Sequence, residues 1–349
     1  MSGLRNALFA AGLLLLALGA GTARAQTVNI EVDWMADELH THKPNQSEID
    51  AVVQMYACHG ITLNVVLDHA IAEVPLLASA NSGTFFSDTT SDSTFAYLKS
   101  FNFRHRGVAG WHYCIFGHNY QLWGKSVGSS GVSELPGYCF FVAMGSFPSP
   151  SATSVGTAWE RAATFAHELG HNFGLTHAGS MNEFTVGNAV PVYPSLMSYL
   201  YQLRGVKTHM QCLGLIGSTS LFKDLDYSNG RMPVQNEWAL NETQGLGIVP
   251  TDWNCDGVIG GIVSKALNDT LNYGTWCNAT RGGRYALNDT NDWAIVLNSI
   301  AHPPVPLAVP TTSEPCISHS EMLLSALSAT STPGFSPTQY PVTFPVCFG

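Results

Sequence analysis

HELGHNFGLTH, residues 167–177, gathers three of the chain's 13 histidines and one glutamate into a single short stretch. On a helix, residues four apart share a face, so His167 and His171 direct ring nitrogens at one point. Glu168 is rotated by about 100° from His167 and points beside that spot, where a carboxylate can take a proton from a metal-bound water. Gly174, three residues after the second histidine, lets the helix end in a left-handed turn, and three further residues bring His177 round. Three neutral imidazoles leave one coordination position free for water, the arrangement of a catalytic rather than a closed structural zinc site. The bland alternative is three solvated or core-capping histidines. The fixed positions of Glu168 and Gly174 within a helical context weigh against it.

This stretch is similar to the extended zinc signature HExxHxxGxxH of the metzincin metallopeptidases. Downstream, YPSLMSYL (residues 193–200) places Met197 twenty residues after His177 and resembles the Met-turn of that clan. The resemblance implies that Met197 lies beneath the imidazoles as an apolar floor. It also implies that Tyr199 occupies the position at which the serralysin and astacin branches keep a tyrosine near zinc. That phenol would ligate the resting metal or hydrogen-bond the oxyanion of the tetrahedral intermediate. The residue after the third histidine, which helps separate the branches, is Ala178 rather than Asp or Pro, so the branch stays open.

The resemblance spans about Thr27 to Gly247. It implies an α+β fold of the metzincin-like zincin type: a twisted, mostly parallel sheet, an active-site helix and a smaller, irregular C-terminal subdomain. The expected organisation is a signal peptide at 1–25, a catalytic domain at 26–247, a calcium-loop-like segment at 248–300 and a Pro/Ser/Thr-rich, disulfide-held tail at 301–349. Such enzymes are often made with a propeptide whose Cys or Asp plugs the zinc. Here a strand starts almost directly after Ala25 and Cys58 lacks the surroundings of a cysteine switch, so no long propeptide is expected.

The composition agrees with a folded, exported chain. Hydrophobic residues make up 45% and charged residues 11%, which argues for a packed globule over disorder. Arg5, the apolar run from Ala7 to Gly21 and the small residues around Ala25 read as a secretory signal, too short to be a membrane anchor. A net charge of −10 makes nucleic acid and anionic membrane poor partners. Eight cysteines behind such a leader imply disulfides, with Cys255–Cys277 and Cys316–Cys347 as the local pairings. The chain is expected to act as a monomer on protein or peptide substrates.

Periodicity supplies the elements. TVNIEVDW (27–34) alternates as a half-buried strand does, and Ser47 reads as the N-cap of a helix that ends at Gly60. ITLNVVLDH (61–69) resumes as a strand, so a parallel pair is expected. GWHYCIFGH (110–118) and YCFFVAMG (138–145) look like further strands. Residues 124–137 between them are a loop or a short edge strand, and Gly131 to Pro136 is the stretch expected to pair with an extended substrate. Residues 157–173 form an Ala-rich helix halted by Gly174. PVQNEWALNETQGLG (233–247) and ALNDTNDWAIVLNSI (286–300) are read as two more helices.

A second motif is weaker. Asp252, Asn254 and Asp256 stand at alternate positions with Gly257 following, like the first half of a calcium loop. Val263 replaces the expected bidentate glutamate, so a Ca2+ ion would need Asp289 or Asp292; an ordinary Asx turn is the alternative. His40, His42, His59, His69, His105, His112, His118, His209, His302 and His319 show no ligand spacing and are read as surface or core-satisfied.

These readings converge on a secreted zinc endopeptidase with His167, His171 and His177 as ligands and Glu168 as general base. A secreted zinc-containing binding protein on the same scaffold is the second reading, and Glu168 argues against it, because binding needs the histidines and not the base. A disulfide-held surface or matrix protein would account for the tail but not for the zinc motif.

Overall fold

The computed structural model describes residues 26–79, 85–122, 124–147, 155–267, 276–278 and 283–304. The signal-peptide reading at 1–25, the Cys316–Cys347 pairing and nearly all of the tail at 301–349 lie outside these residues. β1 (Gln26–Ala36) leads through α1 (Gln46–Ala57) to β2 (Ile61–Ala72), and the two strands pair in parallel from Gln26–Ile61 to Ala36–Ala72. After β3 (Leu76–Leu77) and α2 (Phe95–Asn102), β4 (Trp111–Gly117) pairs in parallel with the free side of β1. β5 (Asn119–Leu122) and β6 (Lys125–Val127) join β3 in a small separate sheet. β7 (Gly131–Ser133) then runs antiparallel to β8 (Cys139–Ala143), which is parallel to β4. The main sheet has the order β2-β1-β4-β8-β7, parallel apart from its edge strand β7. The α+β expectation holds, and residues 124–137 do supply an edge strand.

Side chains alternate across this sheet, and both faces are covered. Val28, Ile30, Val32, Cys114, Phe116, Phe140 and Val142 join the core beneath α1 and α3 (Ala158–Asn172). Met35, Tyr113, Ile115, Cys139, Phe141 and Phe95 of α2 form a second core on the opposite face. The half-buried reading of β1 is therefore corrected. Its acidic residues Glu31 and Asp33 are fully buried beside that second core. Glu31 accepts the backbone N–H groups of Arg104 and His105, at 2.7 and 3.2 Å, and Asp33 accepts the Tyr113 hydroxyl at 2.6 Å. Alternation marked the two faces, and only the packing of the 95–110 segment shows that neither is wet. The same alternation keeps the neighbouring thiols of Cys114 and Cys139 on opposite faces, both free, and Cys58 is free and exposed; Cys255–Cys277 is a disulfide, as expected.

α1 is capped by Asn45 and not by Ser47. The Glu48 carboxylate accepts the Asn45 backbone N–H at 3.2 Å and its side-chain amide at 2.8 Å, so the Asn-x-x-Glu spacing outcompetes the isolated serine. Buried Glu48 also receives Arg161 of α3 at 2.5 and 2.9 Å, a forked pair that fixes α3 against α1.

After α3 the chain continues through α4 (Glu183–Val186) and α5 (Val206–Cys212) to the short strands β9 (Gln235–Asn236), β10 (Leu240–Asn241), β11 (Ile262–Val263) and β12 (Ala286–Leu287), and then α6 (Asp292–Ala301). α6 forms the C-terminal part of the second helix expected over 286–300, whose first residues are instead strand β12 and the cap at Asn291. The helix expected over 233–247 does not form, because its glutamates are turned inward. Glu237 accepts the backbone N–H groups of Leu267 (2.6 Å) and Tyr285 (2.7 Å). Glu242 accepts those of Trp253 (3.1 Å), Asn254 (3.3 Å) and Gly260 (3.1 Å). Buried carboxylates that organise distant loops cannot also stand on a solvated helix face. No helix among the described residues is long and apolar enough to cross a membrane.

Candidate metal centre

α3 begins at a reciprocal cap: Thr157 accepts the Glu160 backbone N–H at 3.2 Å while Glu160 accepts that of Thr157 at 2.7 Å. It ends in a Schellman turn, with Gly174 at φ +92°, its N–H on the His171 carbonyl (2.8 Å), and the Leu175 N–H on the Gly170 carbonyl (3.1 Å). This is the left-handed stop expected of Gly174. It also delivers the Leu175 carbonyl to His171 Nδ1 at 2.7 Å.

Of the other two imidazoles, His167 is held in the same manner and His177 sits within ion-pair range of a carboxylate. His167 Nδ1 lies 2.8 Å from the Leu196 carbonyl, and His177 Nδ1 lies 3.3 Å from a Glu183 carboxylate oxygen. A carbonyl only accepts, so His167 and His171 each donate from Nδ1 and turn a lone pair outward from Nε2. The Nε2 atoms of His167 and His177 each lie 3.1 Å from that of His171. Lone pairs facing one another at this distance repel unless a cation stands among them. Nitrogens 2.0–2.1 Å from a tetrahedral zinc are about 3.3 Å apart, so the donor set fits that ion. All three side chains are buried.

Glu168 faces the edge strand. A Cβ built on Gly131 of β7 would fall 2.6 Å from Glu168 Oε1, so only a glycine lets the carboxylate lie against this backbone. Four further hydrogen bonds hold the helix against the β7–β8 hairpin. Ser133 Oγ donates to the Glu168 carbonyl (2.8 Å), and the Asn172 amide reaches Ser133 Oγ (2.7 Å) and the carbonyls of Glu134 (3.0 Å) and Cys139 (3.1 Å). Burial pushes the Glu168 carboxyl well above the ordinary range, and a divalent charge held by the neighbouring imidazoles opposes that push. Gly131, Val132, Ser133, the three histidines, Glu168 and Tyr199 enclose about 10 Å³, room for one small occupant. The Tyr199 ring centroid is 4.3 Å from that of His177.

Met197 is fully buried under α3, and its sulfur explains a glycine that the sequence reading passed over. A Cβ at Gly170 would meet Met197 Sδ at 2.6 Å and Tyr227 Oη at 3.0 Å, whereas one at Gly174 would meet nothing within 4 Å. Gly→Ala inside an open helix stabilises by about 1 kcal/mol. Gly170→Ala should instead destabilise by about 1–3 kcal/mol through overpacking. Gly174→Ala should cost about 1–2 kcal/mol from backbone strain alone. Denaturant unfolding measures both, and a stabilised Gly170→Ala would contradict the close contact with Met197.

Asp292, offered above as a calcium ligand, serves this site instead. Its buried carboxylate accepts the Tyr193 hydroxyl at 2.8 Å, the Ser195 hydroxyl at 2.6 Å and the Ser228 backbone N–H at 3.1 Å, pinning the segment that carries Leu196 and Met197. Asp289 is likewise engaged, by Ser228 Oγ (2.6 Å) and the Met232 N–H (3.0 Å). At the suspected calcium loop, Asp252 accepts the N–H groups of Asp256 (3.2 Å) and Gly257 (2.8 Å), and Asn254 donates to Asp256 (2.9 Å). With Glu242 drawing in the amides of 253, 254 and 260, this loop is organised around an anion, which favours the Asx-turn alternative. The signals that were missed, Gly170 within a helix and Asp292 opening one, were visible as letters but not as contacts.

Residues 34–194 match the Metallo-peptidase family M12, a span just under half of the chain that includes all three histidines. Among solved structures, the archaemetzincin of Methanopyrus kandleri is 16% identical, with 45% of this chain and 78% of that chain covered at a TM-score of 0.28. A zinc-dependent peptidase from Methanocorpusculum labreanum is 13% identical, covering 42% of this chain and 82% of that chain at a TM-score of 0.25. A search of curated proteins finds no match. Similarity scores this low carry no argument. Over residues 34–194 the chain is similar to the Metallo-peptidase family M12, and its 167–177 signature and the Met197 turn resemble those of the metzincin clan, with the branch left open.

Proposed function

We propose that the protein is an exported zinc-dependent endopeptidase in which His167, His171 and His177 hold the metal and Glu168 is the general base. The observation that carries this reading is the convergence of three imidazole Nε2 atoms, two pairs of them 3.1 Å apart, with the Nδ1 atoms of His167 and His171 each donating to a backbone carbonyl. When bound there, zinc supplies a Lewis acid that stabilises negative charge developing on oxygen.

The chain's own residues do the rest. Glu168, held against Gly131, accepts a proton from the attacking water at a carboxylate oxygen and passes it to the leaving amine nitrogen. Tyr199, beside His177, offers a phenolic donor toward the oxyanion. An extended peptide lies along β7, the edge of the main sheet, which places its scissile bond next to Glu168. Met197 keeps the floor beneath the imidazoles apolar and dry. Export rests on the leader read at 1–25, and N-terminal sequencing of the exported protein should begin at Gln26.

Zinc-loaded protein should cleave casein or gelatin internally, lose that activity to a chelator and regain it on zinc addition. Release of single terminal residues only would overturn the endopeptidase reading. No cleavage by fully zinc-loaded protein would favour a binding protein on the same scaffold.

A further inference from the structure

Three of the histidines read as solitary come together elsewhere in the molecule. β2, β1 and β4 are adjacent and parallel, so their C-terminal ends lie side by side, the end of a parallel sheet at which ligands are usually held. Each end carries metal-ligating side chains. After β1 the chain doubles back, with the His42 N–H on the Met35 carbonyl (2.9 Å), which presents His40 and His42. Glu73 directly follows β2, its N–H bonded to the Ala36 carbonyl (3.1 Å). His118 directly follows β4, its carbonyl accepting the Gly145 N–H (2.7 Å).

One ligating atom from each of these four residues lies within 4.8 Å of the others. His42 Nε2 is 3.4 Å from Glu73 Oε2 and 3.3 Å from His118 Nδ1, and His40 Nε2 is 3.8 Å from the same glutamate oxygen. The Glu73 and His42 side chains are only 6% and 1% exposed. Neither Glu73 oxygen, nor His40 Nε2, has a hydrogen-bond partner among the described residues. Separations of 3.3–3.8 Å are long for hydrogen bonds but suit the edges of a ligand tetrahedron, about 3.3 Å for bonds of 2.0–2.1 Å. The three rings stand at 75–82° to one another, so they meet edge to face and do not stack. His40 Nδ1 is anchored to Asp37 Oδ1 at 2.9 Å, and that oxygen also accepts the Leu39 and His40 amides, each at 2.8 Å. This is the outer carboxylate that orients a metal-ligating imidazole with Nε2 inward.

The neighbouring cluster of Asp33, Asp68 and His69 shows the contrast. There Tyr113 donates to Asp33 (2.6 Å), Arg104 pairs with Asp68 (2.7 Å) and His69 lies 2.7 Å from Asp68, so every carboxylate is already answered by protein. The Glu73 carboxylate, by contrast, accepts no hydrogen bond among the described residues, and the imidazoles of His40 and His42 lie 3.8 and 3.4 Å from it.

We propose that His40, His42, Glu73 and His118 bind a second zinc-type divalent ion, closed by four protein ligands, that clamps together the C-terminal ends of β1, β2 and β4. Three imidazoles and a carboxylate select a borderline transition metal over calcium or magnesium, and a full ligand set marks a structural role. The proposal is independent of the peptidase reading.

Full-length protein equilibrated with zinc and freed of excess should contain two zinc ions per chain by elemental analysis. His167→Ala/His171→Ala should keep one, and zinc should still raise its Tm over that of the metal-stripped sample. Cobalt(II) in that variant should give the intense visible bands of a four-coordinate site. His40→Ala/His118→Ala should likewise fall to one zinc per chain. A single zinc in the natural chain that is lost entirely from His167→Ala/His171→Ala, with no effect of zinc on Tm, would overturn the proposal whether or not the other variant folds.

Discussion

Glu168→Gln should lower peptide turnover by about 10²–10⁴-fold or more, the usual contribution of a positioned general base, while zinc content stays that of the natural protein. The substitution keeps the volume that fits against Gly131 and removes only the ability to accept a proton. Because Glu168 is not among the three converging imidazoles, metal binding and catalysis should separate cleanly. The readouts are kcat/KM on a peptide cleaved by the natural protein and zinc per chain by elemental analysis. Activity within a few-fold of the natural protein would remove Glu168 from the mechanism. Loss of zinc together with activity would mean that this carboxylate helps to hold the metal.

Asp292→Ala should have the largest effect of any substitution remote from the histidines. It strips the acceptor from the Tyr193 hydroxyl, the Ser195 hydroxyl and the Ser228 N–H, all in a buried setting. A cost of about 3–5 kcal/mol is expected from donors left without an acceptor. The effect should also reach the metal, because Asp292 fixes Ser195, Ser195 Oγ accepts the Met197 N–H (3.1 Å), and Leu196 between them holds His167 Nδ1 (2.8 Å). Losing such outer support typically weakens metal binding by about 10–100-fold.

Burial raises the Asp292 carboxyl from 3.8 to about 7, so the folded state favours its protonated form. The stability gained from that proton is full below the unfolded value and lost as pH rises through about 7. Asp292→Asn should therefore flatten the dependence of unfolding free energy on pH between about 4 and 7. Unchanged stability and zinc affinity in Asp292→Ala would show that the 193–197 turn stands without α6.

The legible parts of this molecule were those whose chemistry is contiguous in sequence. His167, Glu168, His171, Gly174 and His177 announce themselves because helix periodicity and a glycine stop convert spacing directly into direction. The parallel sheet was readable for the same reason, since apolar runs of strand length alternate with a helical segment. Where residues are joined only by tertiary contacts, the letters misled. Glu237 and Glu242 look like polar positions on a helix until their carboxylates are seen gathering the amides of the 253–267 and 285 loops. Asp292 has the look of a metal ligand until Tyr193 and Ser195 are found beside it. His40, His42, Glu73 and His118 have no common spacing, because their proximity arises from the order β2-β1-β4 and not from the sequence.

The most direct measurement is an anomalous difference map at the zinc absorption edge from crystals of the zinc-loaded protein. A peak enclosed by the Nε2 atoms of His167, His171 and His177, with Glu168 facing it from beside Gly131, is the expected result. No peak there at full zinc loading, or a His177 ring turned away from the other two, would contradict the account.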